Sequence, residues 1–245
     1  MTLSRILAAT LALVLLFSAH PASAQQFSLD LGEGGSVTAT SLQLIALITL
    51  LSLAPGIAMM VTCFPFVVTV LAILRQAIGL QQSPPNMLIV SLALFLTYFV
   101  MEPVFQAAYA NGIAPLLTDQ IDVEEAFARG MEPFRVFMAA RIDPNTFHAM
   151  AELRPDAQSA ELSPDANLSI LVPSFMLSEI ARAFQIGFLI FLPFLIIDLV
   201  VAAVLMSMGM MMVPPAIVSL PFKLAFFVIA DGWSLIASSL VRSYF

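Results

Sequence analysis

Three ionisable side chains stand where nearly everything around them is apolar. Asp198 lies in Phe-Leu-Pro-Phe-Leu-Ile-Ile-Asp-Leu-Val-Val, Lys223 in Leu-Pro-Phe-Lys-Leu-Ala-Phe-Phe and Asp231 in Ile-Ala-Asp-Gly-Trp. At the centre of a hydrocarbon layer each such group costs roughly 2.5 to 3.5 kcal/mol on insertion scales, so each must face protein or water. Two chemistries fit. One is a proton or ion pathway; the other is an ion pair that locks two helices together or docks a neighbouring subunit. Counted from the turn after Met212, Asp198 and Lys223 differ in depth by about one helical turn at ~1.5 Å per residue, an offset that a lysine stem can span. A pump ordinarily carries more than one isolated pair, which favours the lock.

Methionine supplies the second unusual pattern. Met206, Met208, Met210, Met211 and Met212 crowd into seven positions around Gly209, just before Pro214-Pro215. Methionine packs adaptably, so a loosely filled helix end is one reading. Three consecutive methionines cannot share one helical face, however, and some must project from the turn. Presented by several subunits around an axis, they would form a soft apolar constriction that excludes ions yet deforms around a larger passenger. Both readings stand on composition alone.

Enzymatic constellations are missing, and no residue is assigned a catalytic role. His148 has no partner outside the first 24 residues and Cys63 is the only cysteine, so neither a metal set nor an intrachain disulfide can form. Cys63 reads as small buried filler. Ser174, Ser178 and Glu179 make no nucleophile motif, and Gly32-Glu33-Gly34-Gly35 follows no strand and is no phosphate loop. Glu124-Glu125 reads as a solvated helix face. No basic run exists to neutralise phosphates, which excludes nucleic acid as a partner. Nothing calls for a cofactor.

The elements that position these groups are set by hydrophobicity. The 245 residues are 60% apolar and 10% charged, against about a quarter charged in soluble domains. The remaining polar side chains are too few to cover a water-facing surface, so lipid or partner subunits must cover the rest. Of the 16 acidic and nine basic residues, 12 and five fall within 102–182. Residues 1–24 read as a cleaved export signal, with Arg5 before an apolar core and Ala22-Ser23-Ala24 ending at a cleavage position after Ala24. Its apolar core is too short to span a bilayer, which needs ~20 residues. Residues 25–40 form a glycine-rich lead-in.

The mature chain predicts an all-α protein of the integral membrane type, with about four long hydrophobic helices in hairpins and a helical periplasmic insert. Residues 41–103 form the first hydrophobic hairpin. No charge occurs from Ser41 to Leu74; one straight helix would be about 51 Å long, beyond a ~30 Å hydrocarbon core. Pro55-Gly56 and Pro65 therefore predict a kink or a tight hairpin, crossing once or twice. A second helix runs from Met87 to Met101 and stops at Glu102-Pro103. Residues 104–172 form the insert, with an amphipathic helix from Asp122 to Arg141 that sets Phe127, Met131, Phe134 and Met138 three to four apart. Asp143-Pro144 opens a shorter helix, and 155–167 is a loop. Residues 173–245 form the second hairpin, one helix from Pro173 to Met212 and another from Ile217 to Leu240, joined by Gly209, Pro214 and Pro215.

Long strings within this pattern resemble the FliP family, the P subunit of the flagellar export gate. They run from Leu177-Ser178-Glu179 through Ala183-Phe184-Gln185-Ile186-Gly187 to Leu192-Pro193-Phe194-Leu195-Ile196-Ile197-Asp198. They continue in Met208-Gly209-Met210-Met211-Met212-Val213-Pro214-Pro215, Leu220-Pro221-Phe222-Lys223 and Ala230-Asp231-Gly232-Trp233. Leu74-Arg75-Gln76-Ala77, Pro84-Pro85-Asn86 and Leu92 to Phe105 extend the likeness, which is weakest between Phe105 and Ser163. The resemblance implies a pentamer that joins small Q-type and R-type gate subunits and other membrane subunits of the export apparatus. It implies a channel for unfolded flagellar proteins in the bacterial inner membrane, within the flagellar basal body and held largely above the bilayer plane. It also implies a gasket of Met210, Met211 and Met212, with Glu179, Asp198, Lys223 and Asp231 making hairpin or intersubunit contacts. The alternatives are the equivalent virulence secretion subunit, an ion-coupled transporter using Asp198 and Lys223, and a scaffold that lines no pore.

Overall fold

The computed structural model describes residues 37–80, 84–155, 157, 160–210 and 212–245. The expected signal with Ala24, the lead-in through residue 36, and Met211 lie outside the described residues. Two compact units divide the chain, Met1–Leu50 and Leu51–Phe245. Every regular element among the described residues is helical, as the composition predicts. In the first unit, residues 37–50 belong to α1 (Val37–Met60).

In the second unit α1 ends at Met60, and α2 (Phe64–Ile78) follows after a three-residue break. The break does not fall at Pro55-Gly56, which lie inside α1. Instead Pro65 occupies the first turn of α2, where the missing N–H has no intrahelical acceptor to lose. Thr62 patches the gap: its hydroxyl donates to the Met59 carbonyl at 3.1 Å and accepts the Phe64 N–H at 3.4 Å. Gly79, at φ +86°, closes α2 in the left-handed conformation that glycine adopts freely.

Helix α3 (Asn86–Ala108) does not stop at Glu102-Pro103. It carries Pro103 internally, with Gln106 Nε2 donating to Glu102 Oε1 at 3.1 Å across that turn. A π-helical turn (Tyr109–Ile113) and the short α4 (Ala114–Leu117) continue it. Packing outweighs the one hydrogen bond a proline removes: Val100, Met101, Val104 and Phe105 all lie on the core.

The insert is built from α5 (Val123–Arg141) and α6 (Pro144–Glu152). Asp122 caps α5 by accepting the Glu125 N–H at 2.8 Å, and Asp143 caps α6 by accepting the Thr146 N–H at 2.9 Å. Arg135 Nη1 donates to the carbonyls of Pro164 and Ala166 at 3.1 and 2.9 Å, pinning the following loop to α5. Gly112 lets the π turn meet α5 backbone to backbone; a Cβ there would stand 2.6 Å from the Ala126 carbonyl oxygen.

Helix α7 (Leu168–Ser207) is 40 residues long, about 60 Å at ~1.5 Å per residue. It opens five residues before Pro173 and ends five before Met212, with Gly209 at φ +78° in the connector. Its beginning (Ile170, Leu171, Phe175) packs with Met138, Ile142 and Phe147 in the insert core. Further along, Ala183 and Phe194 join a second core centred on Phe66, Val70, Leu71 and Leu74 of α2.

The last expected helix is in fact two, α8 (Pro215–Ile229) and α9 (Gly232–Arg242), bent by 61°. Asp231 sits at the bend with φ +47°, a left-handed conformation that Asp tolerates better than most residues. Residues Asn86–Leu117 and Leu168–Ser207 are each long and apolar enough to cross a membrane, and the bent pair would be a third span if counted as one.

Candidate functional site

Two buried charge clusters and one exposed turn carry the polar and flexible groups of interest. In the first cluster, Lys223 Nζ stands 2.6 Å from Asp198 Oδ2 and donates to the Ala77 carbonyl at 3.2 Å. Ser219, one turn before Lys223, donates to Asp198 Oδ1 at 2.5 Å. Lys223 and Ser219 are buried, whereas the Asp198 side chain keeps 33% exposure. The cluster thus binds α7, α8 and the C-terminal end of α2, whose last carbonyls favour a cation. Both charges are matched and hydrogen-bonded within the chain, the arrangement of a lock. Asp231 takes no part: it is exposed at the α8–α9 bend, and its side chain makes no cap hydrogen bond.

The second cluster is centred on Glu179, which is fully buried. Arg141 Nε donates to its Oε1 at 3.1 Å, Arg182 Nη1 lies 3.6 Å from the same oxygen, and the Tyr244 hydroxyl donates to Oε2. Arg141 also donates from Nη1 to the Ser243 carbonyl at 2.8 Å, and its guanidinium lies 4.0 Å from the centre of the Tyr244 ring. The ring stacks on Phe137 and meets Phe66 edge-on, at centroid distances of 6.0 and 5.6 Å. Burial, then the neighbouring Glu179 carboxylate, holds the Tyr244 phenol well above its ordinary range. Next to this cluster the Asp143 N–H donates to Ser178 Oγ at 3.0 Å, and Ser178 donates to the Ser174 carbonyl at 2.8 Å.

The sequence pointed to Glu179, Asp198 and Lys223 but missed Arg141, Ser219 and Tyr244. Ser219 was findable, since a hydroxyl four residues before a lysine lies on the same helical face. Arg141 and Tyr244 meet Glu179 across 38 and 65 residues of chain, and no local pattern announces such pairs.

The methionines occupy the connector between α7 and α8. Met206 is the last but one residue of α7, Met208 caps it, and Met210 and Met212 follow the left-handed Gly209. Met210 is 38% and Met212 98% exposed. Pro215 opens α8, with Pro214 at its cap. Below the connector, Ile196, Val200, Val204, Val218 and Phe222 line an open apolar groove of about 450 Å³ along α7 and α8. Among the described residues no cluster of His, Cys, Asp or Glu could hold a metal.

Comparison with known proteins identifies the family. A family model, the FliP family, matches residues 47–240, most of the chain. The chain belongs to the FliP family. It is 49% identical to the flagellar biosynthetic protein FliP of Caulobacter vibrioides, over 89% of this chain and 81% of that protein. With the Rhizobium meliloti protein of the same name it shares 46% identity over 96% and 98% of the two chains. With that of Bacillus subtilis it shares 44% over 84% and 92%. As a FliP protein it is a component of the flagellar export apparatus and not an enzyme. The two charge clusters and the methionine connector all lie within the FliP match or, for Ser243 and Tyr244, three and four residues beyond it.

Proposed function

We propose that this FliP protein is a pore-forming core subunit of the flagellar type III protein export gate. It passes unfolded flagellar proteins across the inner membrane, and its closed state is sealed by Met210, Met211 and Met212. Several copies, five by the resemblance, surround an axis together with Q-type and R-type subunits. The chain crosses or enters the membrane in several passes, and the insert of α5 and α6 faces the periplasm.

One observation carries the reading: the connector between α7 and α8 presents Met212 almost fully, and Met210 substantially, to the outside of the single chain. A core-filling methionine would be buried. Side chains exposed at a turn that apolar helices flank need a covering, and sister connectors meeting at an axis supply it. The flexible thioethers then fill the centre without a fixed shape. The groove along α7 and α8, with exposed Ile196, Val200 and Phe222 on its walls, supports packing against a second copy.

Substituting Met210, Met211 and Met212 together by alanine tests the proposal. Co-expressed with its gate partners, the triple variant is expected to assemble and to leak sodium ions or protons in cells that export nothing. An assembled variant as tight to ions as the unsubstituted gate would remove the constriction. The flagellar names of the relatives favour the flagellar over the virulence apparatus. The ion-coupled reading has less support, because Asp198 and Lys223 neutralise one another within the chain.

A further inference from the structure

We propose that Tyr244 is a latch that holds α9 in its bent position against α2 and α3, and that releasing the latch lets α9 straighten onto the axis of α8. Three independent features lead there. First, α8 and α9 together are apolar enough to form one span, yet they are bent by 61° at a two-residue break. The apolar pattern alone does not demand the bend.

Second, the bend is built for sharpness. Asp231 takes φ +47°, and Gly232 fits so closely beneath Phe227 that a Cβ would stand 2.2 Å from the ring edge. The indole of Trp233 meets the same ring edge-on at 5.4 Å.

Third, the far end of α9 is fixed by polar bonds. Tyr244 donates to Glu179, Ser243 accepts from Arg141, and the ring is held by Phe66 and Phe137. Along α9 itself, Ile236, Ala237, Leu240 and Val241 pack on the core.

The balance between bent and straight depends on what surrounds α9. Lipid tails and sister helices are as apolar as the core, so moving these side chains between them changes little hydrophobic free energy. The polar contacts at Tyr244 are not replaceable in such surroundings, and a hydrogen bond to a charged group is worth a factor of roughly ten or more. The latch therefore sets the equilibrium. Eleven residues at ~1.5 Å each make α9 a lever of about 16 Å, and straightening through the bend moves its far end by about as much.

The test uses the full chain in detergent micelles, with Cys63→Ala and spin labels at Ser91→Cys on α3 and Ser239→Cys on α9, both exposed positions. Pulsed electron resonance then reads the distance between α3 and α9. With Tyr244 intact, one distance population is expected. Tyr244→Phe keeps the ring and its packing but removes the donor, so folding is preserved. It is expected to raise a second, displaced population by about tenfold or more. An unchanged distribution in Tyr244→Phe overturns the latch. Phe245→Ala, at the exposed neighbouring residue, is expected to leave the distances as they are. The same displacement there would assign the effect to the chain end in general and overturn the role of the hydroxyl.

Discussion

Removing one member of the Asp198–Lys223 pair strands the other, and the two removals are unequal. Lys223→Met leaves a carboxylate that retains a third of its exposure and the Ser219 donor, so the loss is expected to be about 1–3 kcal/mol. That is below the ~3–5 kcal/mol typical of breaking a fully buried pair. Asp198→Asn strands a buried ammonium beside the Ala77 carbonyl and is expected to reach that higher range. Melting temperatures in detergent should therefore fall further for Asp198→Asn, and the double variant should lose less than the sum of the singles. Tyr244 gives a pH signature. Its phenol is held above the ordinary value of about 10, so the folded state keeps a proton that the unfolded chain releases. The stabilisation is complete below about pH 10 and is lost as pH rises beyond it, by up to ~1.4 kcal/mol per pH unit. Tyr244→Phe should lower the melting temperature at neutral pH and flatten its fall between about pH 9.5 and 11.

At the scale of elements, the contact between the π turn and α5 depends on glycine in one partner only. Gly112→Ala sets a Cβ 2.6 Å from a backbone oxygen, and since backbone cannot rotate aside, the helices must separate at about 1–3 kcal/mol. Gly130→Ala meets nothing closer than 3.7 Å and gains up to ~1 kcal/mol of helix propensity. Thermal melts should thus move in opposite directions, and hydrogen exchange in α5 should rise only for Gly112→Ala. The helices of the insert were legible because capping is local: Asp122 and Asp143 each bond a backbone N–H three residues on. The ends of the apolar helices were not. Pro55 and Pro103 read as breaks and Pro173 as a helix start, yet each lies inside a helix, while α1 ends at Met60 and the Thr62 hydroxyl patches the gap after it. Asp231 read as a charge in a helix, although Asp-Gly is also turn chemistry, and the turn prevailed. The Asp198–Lys223 offset could be counted along two helices meeting at a recognisable turn, whereas the partners of Glu179 come from remote segments.

The whole molecule is unfinished as a single chain. Phe184, Phe188, Leu189, Ile196, Leu199 and Val200 line the outside of α7, far more contiguous apolar surface than a water-soluble monomer exposes. Hydrophobicity does not distinguish a lipid-facing from a subunit-facing helix, since both are selected for the same apolar side chains, and this is why the surroundings of α7 could not be read from composition. Chemical access separates them. A cysteine in place of Leu189 should react with a maleimide in the isolated chain in detergent and become protected once the proposed gate partners are co-assembled. Undiminished labelling in the assembled particle would put that face against lipid.

The length of α7 has a mechanical consequence. One continuous helix begins in the core of the insert and ends at the thioethers of the connector, with Pro173 and Pro193 each removing one of its backbone bonds. Over about 60 Å, a tilt of roughly 5° at one end carries the other sideways by about 5 Å, nearly one helical pitch. Small adjustments among the charged helices would therefore arrive at the opposite end as a sideways displacement of the methionine connector.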